Sequence, residues 1–192
     1  MFGGTRPNGS TNNEFYVFDC SNFKWDIITK TDTFPGEVDE HSVCLLDDSF
    51  ILFGGFNKGH RSNNLMQYFF AENRWETFKN NGEVNSTTKE MMVPCPRAGA
   101  SVVYLNDKLT IFGGKDEDNN RLNDIWTYNI QEQMWKVQQP QNKKELGKDA
   151  FEILGRSGHA SFNFKNRFML VYGGIHEVTK ELDDLCLYDS KT

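Results

Sequence analysis

"KLTIFGGKDEDNNRLNDIWTYNIQEQMWKV", residues 108–137, closes an apolar run on Gly113-Gly114 and then sets Tyr128 and Trp135 seven residues apart. Neither a helical stripe nor simple strand alternation requires that arrangement. The stretch divides into strand-sized runs, "KLTIF" (108–112), "DIWTY" (124–128) and, with one further residue, "MWKVQ" (134–138), separated by Asn- and Asp-rich connectors. Upstream, "ASVVYL" (100–105) and the turn Asn106-Asp107 add a fourth run. The unit therefore reads as four short antiparallel strands.

The same unit is written along the whole chain, as a search for internal repeats shows. Gly-Gly occurs at 3–4, 54–55, 113–114 and 173–174, each time behind an apolar run: "MFGG", "FILFGG", "LTIFGG" and "MLVYGG". An aromatic residue follows the second glycine by 13 or 14 positions, at Phe18, Tyr68, Tyr128 and Tyr188. Seven residues beyond the first three stand Trp25, Trp75 and Trp135. "HSVCLL", "ASVVYL" and "HASFNF" begin 13 or 14 residues before their glycine pairs. No long segment shows a 3.6-residue period, although the charged stretch 141–154 has the composition for a helical turn.

Composition narrows the function classes. Among 192 residues, 38% are hydrophobic and 14% aromatic, enough for a sizeable core. The formal charge is −6, so the chain lacks the strong positive field that a nucleic-acid surface needs. No apolar run reaches the roughly 18–20 residues of a bilayer span, and residues 1–10 lack a signal peptide's apolar segment. Cys20, Cys44, Cys95 and Cys186 are widely spaced, without metal-binding spacing. The expectation is a cytoplasmic protein with no membrane insertion and no nucleic-acid partner.

Four apolar residues, Gly-Gly, then a spaced Tyr and Trp at a period near fifty closely resemble the kelch repeat, and the resemblance covers essentially the entire chain. It implies an all-β fold of propeller blades, each a four-stranded antiparallel sheet. Blades stacked face to face explain why "FILF" and "MLVY" are continuously apolar. The tyrosines and tryptophans then fill the wide outer space between blades as core residues. The phase gives a half blade at 1–30, blades at 39–80 and 98–139, and at 157–190 a blade without its outer strand. An arc of about three to four blades leaves an apolar face at each end. The remaining blades are expected from a longer chain or from other copies.

Catalysis needs convergent groups, and the sequence shows no G-x-S-x-G elbow, HExxH or phosphate loop. His41 and His159 open first strands, matching the Arg-x-Gly-His start of many kelch units, and read as structural. His60 and His176 lie in loops of different units, with no metal-site spacing. Copper-dependent galactose oxidases are kelch propellers too. Their site needs a thioether-linked Cys–Tyr and two His, which no pairing here suggests, so an enzyme would need catalytic residues in further blades. The resemblance favours a non-catalytic scaffold or adaptor without cofactor or metal, binding a protein or peptide on its loops. Loops leaving the second and fourth strands share one face; they include "FNKGHRSNN", "KDEDNNRLN" and the long segments 79–96 and 137–155. Lys58, His60, Arg61 and Arg121 in these loops are candidate contacts to an acidic partner, with the acidic loop 116–118 repelling wrong registers. Arg97 and Arg156, at matching positions before first strands, either join the partner or tie a blade to its neighbour.

Overall fold

A computed structural model describes residues 1–138 and 153–191. The described residues are all-β and form antiparallel blades stacked in chain order. The second blade is the antiparallel sheet Ser42–Leu45, Ser49–Phe53, Leu65–Phe69 and Arg74–Thr77. The third is Ser101–Leu105, Lys108–Phe112, Ile125–Asn129 and Met134–Gln138. Before them lies a half blade of Tyr16–Asp19 and Lys24–Ile27, with Phe2 bridged to Phe15. After them, Ala160–Phe164, Phe168–Tyr172 and Leu185–Asp189 form a three-stranded sheet. The helical turn expected at 141–154 falls largely outside the described residues; Ile153 and Leu154 are irregular.

Register explains the aromatic spacing that opened the repeat. Tyr128 lies directly opposite Trp135 on neighbouring strands, and Tyr68 opposite Trp75. Their rings meet at 4.7 and 5.0 Å, and all four side chains are buried. Each pair points toward the preceding blade. Trp135 packs on Phe53 at 5.6 Å, and Trp75 on Phe2 at 5.5 Å. Such aromatic pairs contribute about 0.5–1.5 kcal/mol beyond the area they remove from water. On the half blade, the equivalent Phe18 and Trp25 are covered by no sheet among the described residues and are 38% and 54% exposed.

Three cores result, one between each pair of successive blades. Phe2, Phe15, Leu52, Met66, Tyr68 and Trp75 fill the first. Ile51, Phe53 and Leu65 meet Leu109, Ile111 and Trp135 in the second. Val103, Leu105 and Phe112 meet Met169 and Val171 in the third. Strand Ser49–Phe53 supplies one face to each of its two cores, which is why it carries no polar alternation.

The glycine pairs are close-approach points between these blades. Gly55 and Gly114 have φ of 100° and 96°, and each donates its N–H to the next blade, to Arg97 and Arg156 carbonyls at 2.9 and 2.8 Å. A Cβ on Gly113 would stand 2.7 Å from the Arg156 carbonyl oxygen. Only glycine meets the positive φ and the contact together.

Two features exceed the four-strand reading. Asn81–Gly82 runs parallel to Met134–Trp135 as a fifth strand of the third blade. Segment 79–96, expected among the face loops, thus begins on that blade's outer edge, protecting strand groups that would otherwise be unpaired. The loops after the glycine pairs also fold back as miniature hairpins, Phe56–Asn57 with His60–Arg61 and Ile175–Glu177 with Lys180–Glu181.

Candidate functional site

The loop face is built from these post-glycine hairpins, one per blade. In the third blade the turn is set by Asp116, whose carboxylate accepts the N–H groups of Asp118 and Asn120 and the side-chain amide of Asn120. A bridge between Lys115 and Arg121 closes it. In the second blade, Lys58 and Gly59 turn at positive φ, leaving Lys58 and His60 exposed at the tip.

The hairpins are tied sideways. The backbone N–H of Arg61 donates to Glu117 at 2.7 Å, and its guanidinium donates to Asn119 at 2.6 Å. Lys115 meets Glu40 before the second blade at 2.7 Å. Each bond crosses between blades, so the rim is cross-linked as well as supported from below. The Arg61 side chain is only 8% exposed and lies over the Phe56 ring.

Arg97 and Arg156 sit beneath this rim, 1% and 0% exposed. Arg97 donates to both carboxylate oxygens of Asp124, at 2.6 and 2.8 Å, and to the Gly113 carbonyl at 3.0 Å. Arg156 repeats this on Asp184, at 2.6 and 2.9 Å, and on Gly173 at 3.0 Å. Arg156's bonds hold the Asp184 carboxyl down at about 2. Paired forks of this kind are charge-assisted and geometrically specific. Every one of these side-chain bonds stays within the arginine's own blade. The main chain at the same residues makes the bond to the neighbouring blade, as acceptor of the Gly55 and Gly114 N–H groups.

Of the six candidate residues, the structure therefore leaves Lys58 and His60 exposed and turns Arg61 inward. Arg121 is half-buried, with a terminal nitrogen on the Asn119 carbonyl at 2.8 Å. Arg97 and Arg156 face away from solvent and are structural in geometry. The acidic loop is Arg61's partner, so its expected role as a free repulsive element does not match its contacts. Sequence reading missed this pairing because it joins two loops 56 residues apart, with only complementary charge as a signal.

His159 is buried beside the same frame, with Nε2 at 2.8 Å from Ser101 Oγ on the preceding blade. Burial, with the Arg156 charge added, pushes its imidazole down to about 4. His41, at the matching position, is also pushed down by burial. Among the described residues, no three His, Cys, Asp or Glu side chains gather as a metal site.

These paired blades with looped upper rims define a repeat protein of the propeller class. Residues 1–93 and 80–192 each match the KLHDC2/KLHL20/DRC7 Kelch-repeats domain, and the chain belongs to the kelch-repeat family. It is 25% identical over its whole length to Acyl-CoA-binding domain-containing protein 4 of Arabidopsis thaliana, spanning 28% of that protein. Kelch domain-containing protein 3 of Bos taurus is 24% identical across 74% of the chain and 51% of the relative. Leucine-zipper-like transcriptional regulator 1 homolog of Drosophila melanogaster is 29% identical over 68% of the chain and 13% of its own length. The chain thus spans well under two thirds of these relatives.

Proposed function

We propose that the chain is a non-catalytic protein-interaction module that presents its post-glycine hairpins to a protein or peptide, with Lys58 and His60 meeting an acidic segment. The lateral bonding of the rim carries this reading. Hairpins cross-linked by Arg61 to Glu117 and Asn119, and by Lys115 to Glu40, offer a surface already ordered before a partner arrives. Preordering lowers the entropy that binding must overcome. In this arrangement Arg61 and Arg121 position the loops, while Lys58 and His60 contribute the contacts. Four free thiols, two of them exposed, suit the reducing cytoplasm as its location.

Selection of a random peptide library on the immobilised chain tests the proposal. Enriched peptides should carry Asp and Glu, and the double variant Lys58→Glu/His60→Glu should lose them while melting at the same temperature. Enrichment of peptides indifferent to that variant, or no enrichment, would overturn this assignment of the face.

A further inference from the structure

The turns that lead into the first strands of successive blades are bonded to one another through the main chain. Gly99 N–H donates to the Glu40 carbonyl at 2.7 Å, and Gly158 N–H to the Gly99 carbonyl at 2.8 Å. The three residues therefore hold one place in the repeat, with φ of 48° at Glu40, 64° at Gly99 and 66° at Gly158. Glycine adopts that conformation freely, whereas a glutamate is strained in it. The turn itself has no need of the Glu40 side chain. Asp39 beside it is held by two main-chain bonds to Phe56, at 2.8 and 3.1 Å, and the carbonyl of residue 40 serves Gly99 whatever its side chain.

The carboxylate reaches sideways instead, to the third-blade hairpin. The Lys115 ammonium lies 2.7 Å from one of its oxygens and 2.9 Å from the other. The Glu40 side chain is 46% exposed and that of Lys115 22%. An ion pair as open as this adds little stability, because water competes for both charges. The forks of Arg97 on Asp124 and Arg156 on Asp184 resist exchange, since losing the carboxylate would leave a buried cation. The Glu40–Lys115 pair is free to exchange. A displaced Glu40 returns to solvent, and a second carboxylate neutralises the lysine in its place. The ties of Arg61 to Glu117 and Asn119, in the same hairpin as Lys115, would go on joining the blades.

We propose that Glu40 is a built-in stand-in for a partner's carboxylate: it holds Lys115 in the free chain and yields it to an acidic segment on binding. Lys115 is then a third cation of the face, beside Lys58 and His60, and Glu40 sets its selectivity. A segment whose carboxylates meet only Lys58 and His60 leaves the pair closed and binds less tightly. One that also supplies a carboxylate to Lys115 opens it and gains that bond, which is charge-assisted. The inference rests on the reading of this face as a binder of acidic segments.

Fluorescence anisotropy of labelled hexaglutamate, titrated with the 192-residue chain at low salt, provides the test. Glu40→Gly installs the residue that positions 99 and 158 already carry, so it should keep the parent's melting temperature. It should bind the peptide about threefold more tightly, the scale of one exposed ion pair. Asp118→Asn, at an exposed position of the rim, removes a like charge without releasing a lysine and should gain clearly less. In a Lys115→Gln background, Glu40→Gly should gain no more than Asp118→Asn does. If glycine at position 40 lowers the melting temperature, Glu40→Gln makes the same comparison with the side-chain length kept. Equal gains in Glu40→Gly and Asp118→Asn, or a gain that persists without Lys115, overturn the proposal. Where the parent still binds through Lys58 and His60, shown by its loss in Lys58→Glu/His60→Glu, the reading of the face stands and only the role of Glu40 falls. No binding by the parent and Glu40→Gly alike overturns both.

Discussion

Arg97 grips Asp124 with both terminal nitrogens, and the second blade replaces both members of that pair at once. Val38 stands at the Arg97 position and Asn64 at the Asp124 position, as their shared backbone bonds show: Gly4 to Val38 as Gly55 to Arg97, and Gly54 to Asn64 as Gly113 to Asp124. A charged fork and an apolar-polar couple thus serve one place in the repeat. An arginine alone would leave a buried cation, and an aspartate alone would leave its carboxylate unneutralised.

Arg97→Ala should therefore cost about 3 kcal/mol, at the low end for a broken buried pair, because Asp124 stays partly solvated and keeps the Trp126 indole as donor. The double variant Arg97→Val/Asp124→Asn, which copies the second blade, should recover more than half of that loss. Urea melts of the two single variants and the double one give the coupling directly. A double variant less stable than Arg97→Ala would show that the two solutions are not interchangeable.

The architecture was legible because its determinants are local and repeated: glycine pairs at strand ends, an aromatic 13 or 14 residues on, a tryptophan seven further. The role of Arg97 and Arg156 was half legible. Their matched positions announced a repeated bond, but the side chain serves its own blade and only the main chain reaches the neighbour. Aspartates 27 and 28 residues downstream were the available signal. The fifth strand at Asn81–Gly82 had none, since two residues in a polar loop carry no periodicity. The Arg61–Glu117 contact depends on how neighbouring blades place their loops, which single-chain patterning does not encode.

Stability should fall on mild acidification through His159. The folded imidazole stays neutral down to about 4, held there by burial and by Arg156, while the unfolded chain takes up a proton near the ordinary 6.5. Protons thus favour the unfolded chain between those values, and the loss grows from pH 6.5 downward to about 3 kcal/mol at most. Above pH 7 the group has no effect. His159→Gln keeps a hydrogen-bonding group near Ser101 without a titration. Melts at pH 7.5 and 5.0 should differ less in that variant than in the parent; an equal difference assigns the acid sensitivity elsewhere.

Gly113→Ala combines two costs. The backbone φ of 67° disfavours a side chain, and the new methyl would press on the Arg156 carbonyl at 2.7 Å, main chain that cannot rotate away. A loss of about 2–4 kcal/mol follows from conformational strain together with overpacking. Gly59→Ala, with φ of 91° and open space around it, carries the conformational cost alone. Differential scanning calorimetry of the pair should show the larger drop for Gly113→Ala.

Arg61 and Lys58 stand three residues apart on one hairpin, yet they should fail differently. Arg61 is buried against Glu117, Asn119 and the Phe56 ring, so Arg61→Ala removes two ties that hold the second hairpin to the third. The backbone bond from residue 61 to Glu117 survives the substitution, which limits the damage to about 1 kcal/mol. Hydrogen exchange should quicken locally at residues 56–62 and 116–121, with strand Ser49–Phe53 unchanged. Lys58→Ala, at an exposed tip, should leave exchange and melting temperature alone. If the face binds an acidic segment, Lys58→Ala slows association and weakens its salt dependence, as a rim charge does. Arg61→Ala instead lowers affinity by loosening the rim, with the salt dependence retained. Identical salt slopes in the parent and Lys58→Ala would remove Lys58 from the contact surface, and unchanged exchange in Arg61→Ala would show that the cross-link does not order the rim.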